Sequence, residues 1–272
     1  MKGEGSTRVV LVTHLNPDLD ACMAMWLMTR YVFAEREHRF RFIPVGSERK
    51  AINATGREQI VYVDTGGGKY DHHDTSDYVC TASLIAEDYS IWTPAIREMI
   101  EYTLAVDHGK VLDADVRSFD LVNIIEGLNK IHSNSPELVL EIVLSCLDAV
   151  HTSLSDSLEA KEHLKHAIYF DSRWGKGIGI VSSNPKTRYL AHRRGFQVYV
   201  YVDPIHGYRG FMAPGDSDVD FGSLFETLRE VEPEADWFLH SSKQLLLCGS
   251  RKAPDRNLSS LSLEQMIDLV RR

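Results

Sequence analysis

The chain has 272 residues, 43% of them apolar, and a formal net charge of −9. Apolar content of that order supports a real core, and the length suits two modest domains better than one large one. The negative charge argues against a protein that coats long nucleic acids by charge alone.

Taken in chain order, "MKGEGSTR" lacks the apolar stretch of a secretory signal and leads directly into a strand. "RVVLVTH" (8–14) is a short apolar run that turns polar at its end, the pattern of a buried strand. "DLDACMAMWLMTRYVFAER" follows with helical spacing of its apolar residues. "FRFIPVG" and "QIVYVDTG" read as further strands, the second ending at Asp64. "CTASLIAEDY" and "PAIREMIEYTLAVD" read as helices, with Pro94 suited to a first helical turn. This alternation predicts an α/β protein with a parallel, helix-covered sheet. From about 118 to 169 the pattern is almost wholly helical. No apolar run reaches the roughly 18 residues needed to cross a bilayer, so no membrane partner is expected.

Gly175, Gly177 and Gly179 break the helical pattern after "DSRW". The expected domains are therefore 1–170 and 176–272, the second smaller and mixed α/β. Its strand-like segments are "IGIVSS", "FQVYVYVD", "YRGFMAP", "WFLHSS" and "QLLLCGS", with helical patches near 185–194 and 220–231. From residue 176 onward basic and acidic residues nearly balance, so the first domain carries the acidic excess. Cys22, Cys80, Cys146 and Cys248 are scattered, as expected of reduced thiols in a cytoplasmic protein.

The chemistry-bearing residues lie at element ends. His14, Asp18 and Asp20 occupy the turn between the first strand and the first long helix, where α/β sheets bind ligands. A lone Asp there would be read as a helix N-cap. Here, however, Asp64 stands at another strand tip, His72 and His73 follow in "DHHD", and Asp107 ends a helix in "AVDHG". Imidazole mixed with carboxylate suits Mn²⁺, Zn²⁺ or Fe²⁺ better than Ca²⁺. At least six candidate ligands are too many for one ion with an open position and about right for two sharing a bridging carboxylate. Two such ions, roughly 3.5–4 Å apart, would clamp a phosphate and activate a water. The "GGG" at 66–68 is expected to let the backbone turn tightly rather than to cradle phosphate.

"HLNPDLDA", "VYVD" and "DHH", in that order, resemble the motifs of the DHH phosphoesterase superfamily. Its members include RecJ-type exonucleases, oligoribonucleases and manganese-dependent pyrophosphatases. The resemblance covers residues 8–130. It implies that His14 and Asp18 hold one metal, that Asp20, His72 and Asp107 hold the other, and that Asp64 bridges them. It further implies that His73 contacts the scissile phosphate and protonates the leaving oxygen, while Asp71 orients a histidine. Only six residues separate Asp64 from Asp71. That compressed spacing is more like the exonucleases related to the melanocyte-proliferating-gene protein, although their first motif is spaced differently.

DHH exonucleases usually end in a substrate domain with a "GGGH" motif, which this chain lacks. The nearest counterparts are His240, Ser250, Arg251 and Lys252, whose donors and positive charge suit a phosphate. "HRRG" (192–195) reads first as a helix C-terminus capped by Gly. His108, His132, His151, His163 and His166 read as surface or core histidines. The resemblance implies two divalent ions, manganese favoured and magnesium the alternative. It implies a metal-dependent exonuclease acting on short or single-stranded nucleic acid held in a cleft between the domains. The alternatives are a phosphatase or pyrophosphatase acting on a small phosphorylated molecule, and a non-catalytic metal- or nucleotide-binding module. Oligomeric state is not legible.

Overall fold

The computed structural model describes residues 8–45, 47, 58–111 and 119–271. The expected lead-in at 1–7, Gly46 of the second expected strand and Ser118 lie outside the described residues. The protein is a mixed α/β chain of two compact units, Met1–Leu154 and Ser155–Arg272.

In the first unit β1 (Arg8–His14) is the central strand of a three-stranded sheet, flanked by β2 (His38–Ile43) and β3 (Glu58–Tyr62). Both pairings are parallel. A central parallel strand is covered on both faces, which is why β1 is a continuous apolar run whose residues after Arg8 are all buried. Helix α1 (Leu19–Leu27) starts at Asp18, whose carboxylate accepts from the Ala21 N–H at 3.0 Å. All nine of its residues are buried, and apart from Asp20 in its first turn the helix is apolar all round. Full burial of each Leu or Met there contributes roughly 1.5–3 kcal/mol. The expected single helix changes character at Met28–Val32, which is π-helical.

Helices α2 (Thr81–Asp88) and α3 (Pro94–Asp107) pack against α1. Pro94 sits in the first turn of α3 behind the N-cap Thr93, as its sequence position predicts. Helix α4 (Leu121–Ile131) buries Ile125, and α5 (Pro136–His163) buries Val139, Leu140, Val143, Leu144 and Leu147 in the same core. No unbroken apolar run of that length occurs among the described residues, but one helix, Pro136–His166, is long and apolar enough by length and composition to cross a bilayer. Its charges are spaced out, so the average is apolar although no run is. Its buried stripe recurs at three- and four-residue intervals, the pattern of an amphipathic core helix.

The second unit is the shorter but carries the larger sheet, six strands in the order β4-β5-β6-β7-β9-β8. These are β4 (Ile168–Ser172), β5 (Gly175–Val181), β6 (Val198–Val202), β7 (Arg209–Met212), β8 (Trp237–Leu239) and β9 (Leu245–Cys248). Only β5 and β6 pair in parallel. Helices α6 (Lys186–Arg193), α7 (Gly222–Val231) and α8 (Leu263–Arg271) complete it.

The division lies before the expected 170–176. Gly175, Gly177 and Gly179 belong to β5 in a hairpin with β4 and do not mark a linker. A side chain at Gly177 would strike the Phe170 ring, and one at Gly179 would meet Ile267 Cδ1 of α8 at 2.5 Å. The glycines therefore mark close approach within a sheet. Helix α6 ends as "HRRG" predicts, with Gly195 at φ 86° just past it.

Candidate metal centre

Three connections at the C-terminal edge of the small sheet bring the predicted ligands together. His14 ends β1, and Asp18 and Asp20 bracket the start of α1. Asp64 lies two residues past β3, where Val63 still donates to Val12 O at 2.8 Å. Asp64 has φ 56°, a left-handed conformation that Asp tolerates better than most residues. Its N–H donates to Tyr70 O at 2.7 Å, closing the loop that carries "GGG". Gly66 and Gly67 have φ 80° and 61°, the tight turn expected of them. The Gly67 N–H then donates to Asp71 Oδ2 at 2.6 Å. Asp107 closes α3.

Two groups of potential ligand atoms result, each within 4.8 Å internally: His14 with Asp18 and Asp64, and Asp20 with His72 and Asp107. Asp64 faces both. Its Oδ2 is 3.3 Å from His14 Nε2, and its Oδ1 is 3.5 Å from His72 Nε2. His72 Nε2 is also 3.5 Å from Asp20 Oδ2 and 3.7 Å from Asp107 Oδ2. His14 Nε2 is 4.0 Å from Asp18 Oδ1. Asp18 thus serves as an N-cap and faces the cluster as well.

The histidines are set for distinct tasks. His14 Nδ1 lies 2.9 Å from Leu15 O. A carbonyl only accepts, so Nδ1 carries hydrogen and the neutral ring offers its Nε2 lone pair to the carboxylate side. His73 Nδ1 lies 2.7 Å from Asp71 Oδ1, which leaves its Nε2 uncommitted. The histidine that Asp71 orients is therefore His73. Its side chain is 59% exposed against 12% for His72. A third group of ligand atoms joins His73 with Asp64 and His72, but Asp71 already engages the His73 Nδ1 on that side.

Five carboxylates around three imidazoles are electrostatically unfavourable without cations. Burial, then the charge of Asp64, pushes Asp20 up to about 8, against the N–H groups of Ala82 and Thr81. Burial pulls His14 down, but its bonds to Asp64 and Leu15 and the charges of Asp18 and Asp64 prevail and raise it to about 9. Burial also raises Asp107. Asp71 goes the other way: burial is outweighed by the bonds from His73 and Gly67. Protons occupy the places that cations suit, and the donor set of imidazole and carboxylate fits divalent ions. Nearby Cys22 and Cys80 are buried thiols whose pKa values burial raises, so they are poor ligand candidates at neutral pH. Among the described residues none of the other nine histidines joins a ligand group.

The sequence reading missed the clamp at the start of α2. The N–H groups of Thr81 and Ala82 donate to Asp20 at 2.7 and 2.9 Å, and the Thr81 hydroxyl donates to Asp64 Oδ1 at 2.9 Å. A helix N-terminus favours an anion there. The signal was the helix read over "CTASLIAEDY", the first after the histidine loop.

Residues 11–154 match the family described as ChrB, C-terminal domain. The chain belongs to the ChrB C-terminal domain family. The ChrB match ends at Leu154, the last residue of the first compact unit. It contains every member of the cluster, from His14 to Asp107, and leaves out the second unit. No curated protein matches the chain.

The four residues expected to bind substrate lie in the second unit and are not gathered in one place. His240 follows β8, bonds to Ser242 Oγ through its Nδ1 and donates from its backbone to Leu245 O at the start of β9. Ser250, Arg251 and Lys252 lie beyond the other end of β9, in a turn closed by the Ala253 N–H donating to Ser250 O. Ser250 and Arg251 line a pocket of about 230 Å³ with Arg188 and Tyr199, whereas His240 and Lys252 do not.

Proposed function

We propose that this chain is a metal-dependent phosphoesterase of the DHH type, hydrolysing phosphodiester bonds in short or single-stranded nucleic acid. The observation that carries the reading is Asp64. Its two oxygens face two histidines, each within its own group of carboxylates, the placement needed to span two neighbouring cations. In this reading His14 and Asp18 hold one ion, Asp20, His72 and Asp107 the other, with Mn²⁺ favoured and Mg²⁺ the alternative. Bound there, the ions supply the charge that polarises a phosphate and the acidity that makes water a nucleophile near neutral pH.

The chain's own residues do the rest. Asp71 and its N–H donor Gly67 fix the His73 ring, so that the exposed Nε2 can reach a phosphate oxygen or hand a proton to the leaving oxygen. Thr81 and the start of α2 hold Asp64 and Asp20 in place.

The test is Asp64→Asn, which keeps a residue tolerant of φ 56° and removes the charge. Elemental analysis after dialysis against Mn²⁺ should show loss of bound metal. Hydrolysis of dinucleotides, longer RNA and DNA, 3′-phosphoadenosine 5′-phosphate and pyrophosphate should vanish with it. Two ions retained with full turnover would refute the bridging role. A wild-type protein that binds ions and hydrolyses nothing would favour a non-catalytic binding module.

A further inference from the structure

A cleft of about 590 Å³ opens directly beside Asp18, Asp20 and Asp107 within the first unit. Its far wall is one face of α4, where Val122, Ile125, Glu126, Asn129 and Lys130 recur at helical intervals. That wall is pinned, because the Asn129 amide donates to Pro17 O at 3.0 Å in the turn that carries Asp18. Leu19, Val122 and Ile125 give the cleft an apolar floor. Lys130 stands in the last turn of α4 with no ion pair among the described residues.

We infer that this cleft holds the organic part of the substrate, a body about the size of one nucleoside, with Lys130 meeting a second anionic group at its far end. The inference rests on the phosphoesterase reading, since a phosphate seated at the carboxylates places whatever it is esterified to in this cleft. A cleft within the usual range for organic ligands, roughly 300–1,000 Å³, is far roomier than inorganic pyrophosphate requires. An apolar floor flanked by Glu126 would also be a poor bed for a small polyanion without carbon. Glu126 and the free amide oxygen of Asn129 suit hydroxyl or amino donors on a sugar or base.

The experiment is calorimetric titration of adenosine 3′,5′-bisphosphate, which carries a phosphate for each end of the cleft, and separately of pyrophosphate, into the Mn²⁺-loaded protein. The wild type should bind the nucleotide more tightly than pyrophosphate. Lys130→Ala should weaken the nucleotide by roughly tenfold, the size of one lost charge-assisted contact. Val122→Trp, at a half-buried position in the wall, should abolish nucleotide binding, with a thermal melt reporting whether it folds. If it does not, exposed Lys130 decides alone. No nucleotide binding by the wild type, or unchanged affinity in folded variants, overturns the inference. Nucleotide binding with the expected variant losses, but no hydrolysis of any phosphoester, keeps the cleft and sinks the catalytic reading. Hydrolysis with unaltered variants does the reverse.

Discussion

Adjacent histidines in one loop can carry unrelated tasks, and His72 and His73 are separated by what each already touches. His72 is nearly enclosed by Asp20, Asp64 and Asp107, whereas His73 is half in solvent and tied through Nδ1 to Asp71. His72→Ala should therefore lower metal affinity. His73→Ala should retain the metal and lose turnover, by about 10²–10⁴-fold if the ring is a general acid. Equal metal loss in both would defeat the distinction. The same cluster dictates a pH response. Asp20 rises from 3.8 to about 8 and His14 from 6.5 to about 9 in the folded, ion-free protein. Both raised values mean that the fold holds protons the unfolded chain has released, so ion-free stability falls as pH climbs from about 4 to about 9. A cation bound there would take the place of those protons. The increase in melting temperature on adding Mn²⁺ to chelator-treated protein should consequently grow between pH about 5.5 and about 8.5. A pH-independent increment would show that these two groups do not compete with the ion. The candidate ligands are legible because each is an acid or imidazole at an element end. Thr81 is not, because its contribution depends on where α2 begins in space.

Among the elements, strands with flanking turns and helices with caps could be read off the sequence, and misreadings arose where one residue type serves two purposes. Glycines in β5 read as a break in the helical pattern, since a sequence cannot show the ring or helix that approaches them. Residues 168–169 end a stretch with a helical pattern but open β4, which is held by its pairing with β5. Helix α8 went unread although Leu263, Met266, Ile267 and Val270 have helical spacing. That helix now explains Gly179, whose absent Cβ leaves room for Ile267. Gly179→Val should push α8 off the sheet and cost the second unit about 1–3 kcal/mol. Urea unfolding followed by Trp174 and Trp237 fluorescence would measure this, and metal content should be unaffected because every proposed ligand lies in the first unit. An unchanged midpoint would mean that α8 is not packed on β5 in solution.

At the scale of the whole molecule, charge is divided unevenly between the units, and that division bears on substrate length. The first unit carries the acidic excess and the candidate ligand cluster, so in the proposed function cations there would offset charge only at the reacting phosphate. Neighbouring phosphates of a polymer need positive groups elsewhere. In the second unit Arg251 and Lys252 occupy an exposed turn, and Arg251 shares a pocket with Arg188, Tyr199, Tyr201 and Tyr208. If the natural substrate is an oligonucleotide, replacing Arg251 and Lys252 together with Ala should raise KM more for longer chains than for dinucleotides. The wild-type rate on longer chains should fall with added salt, because each phosphate contact releases counterions, and the double variant should show a shallower dependence. Arg188→Ala separates the pocket from the turn. A loss shared by Arg188 and Arg251 assigns the effect to the pocket, whereas a loss confined to Arg251 and Lys252 assigns it to the turn. Kinetics unchanged in all three positions, on every substrate hydrolysed, would leave "GSRKAP" a solvated turn after β9. Selection would then rest with the first unit and the face of α4 that carries Lys130.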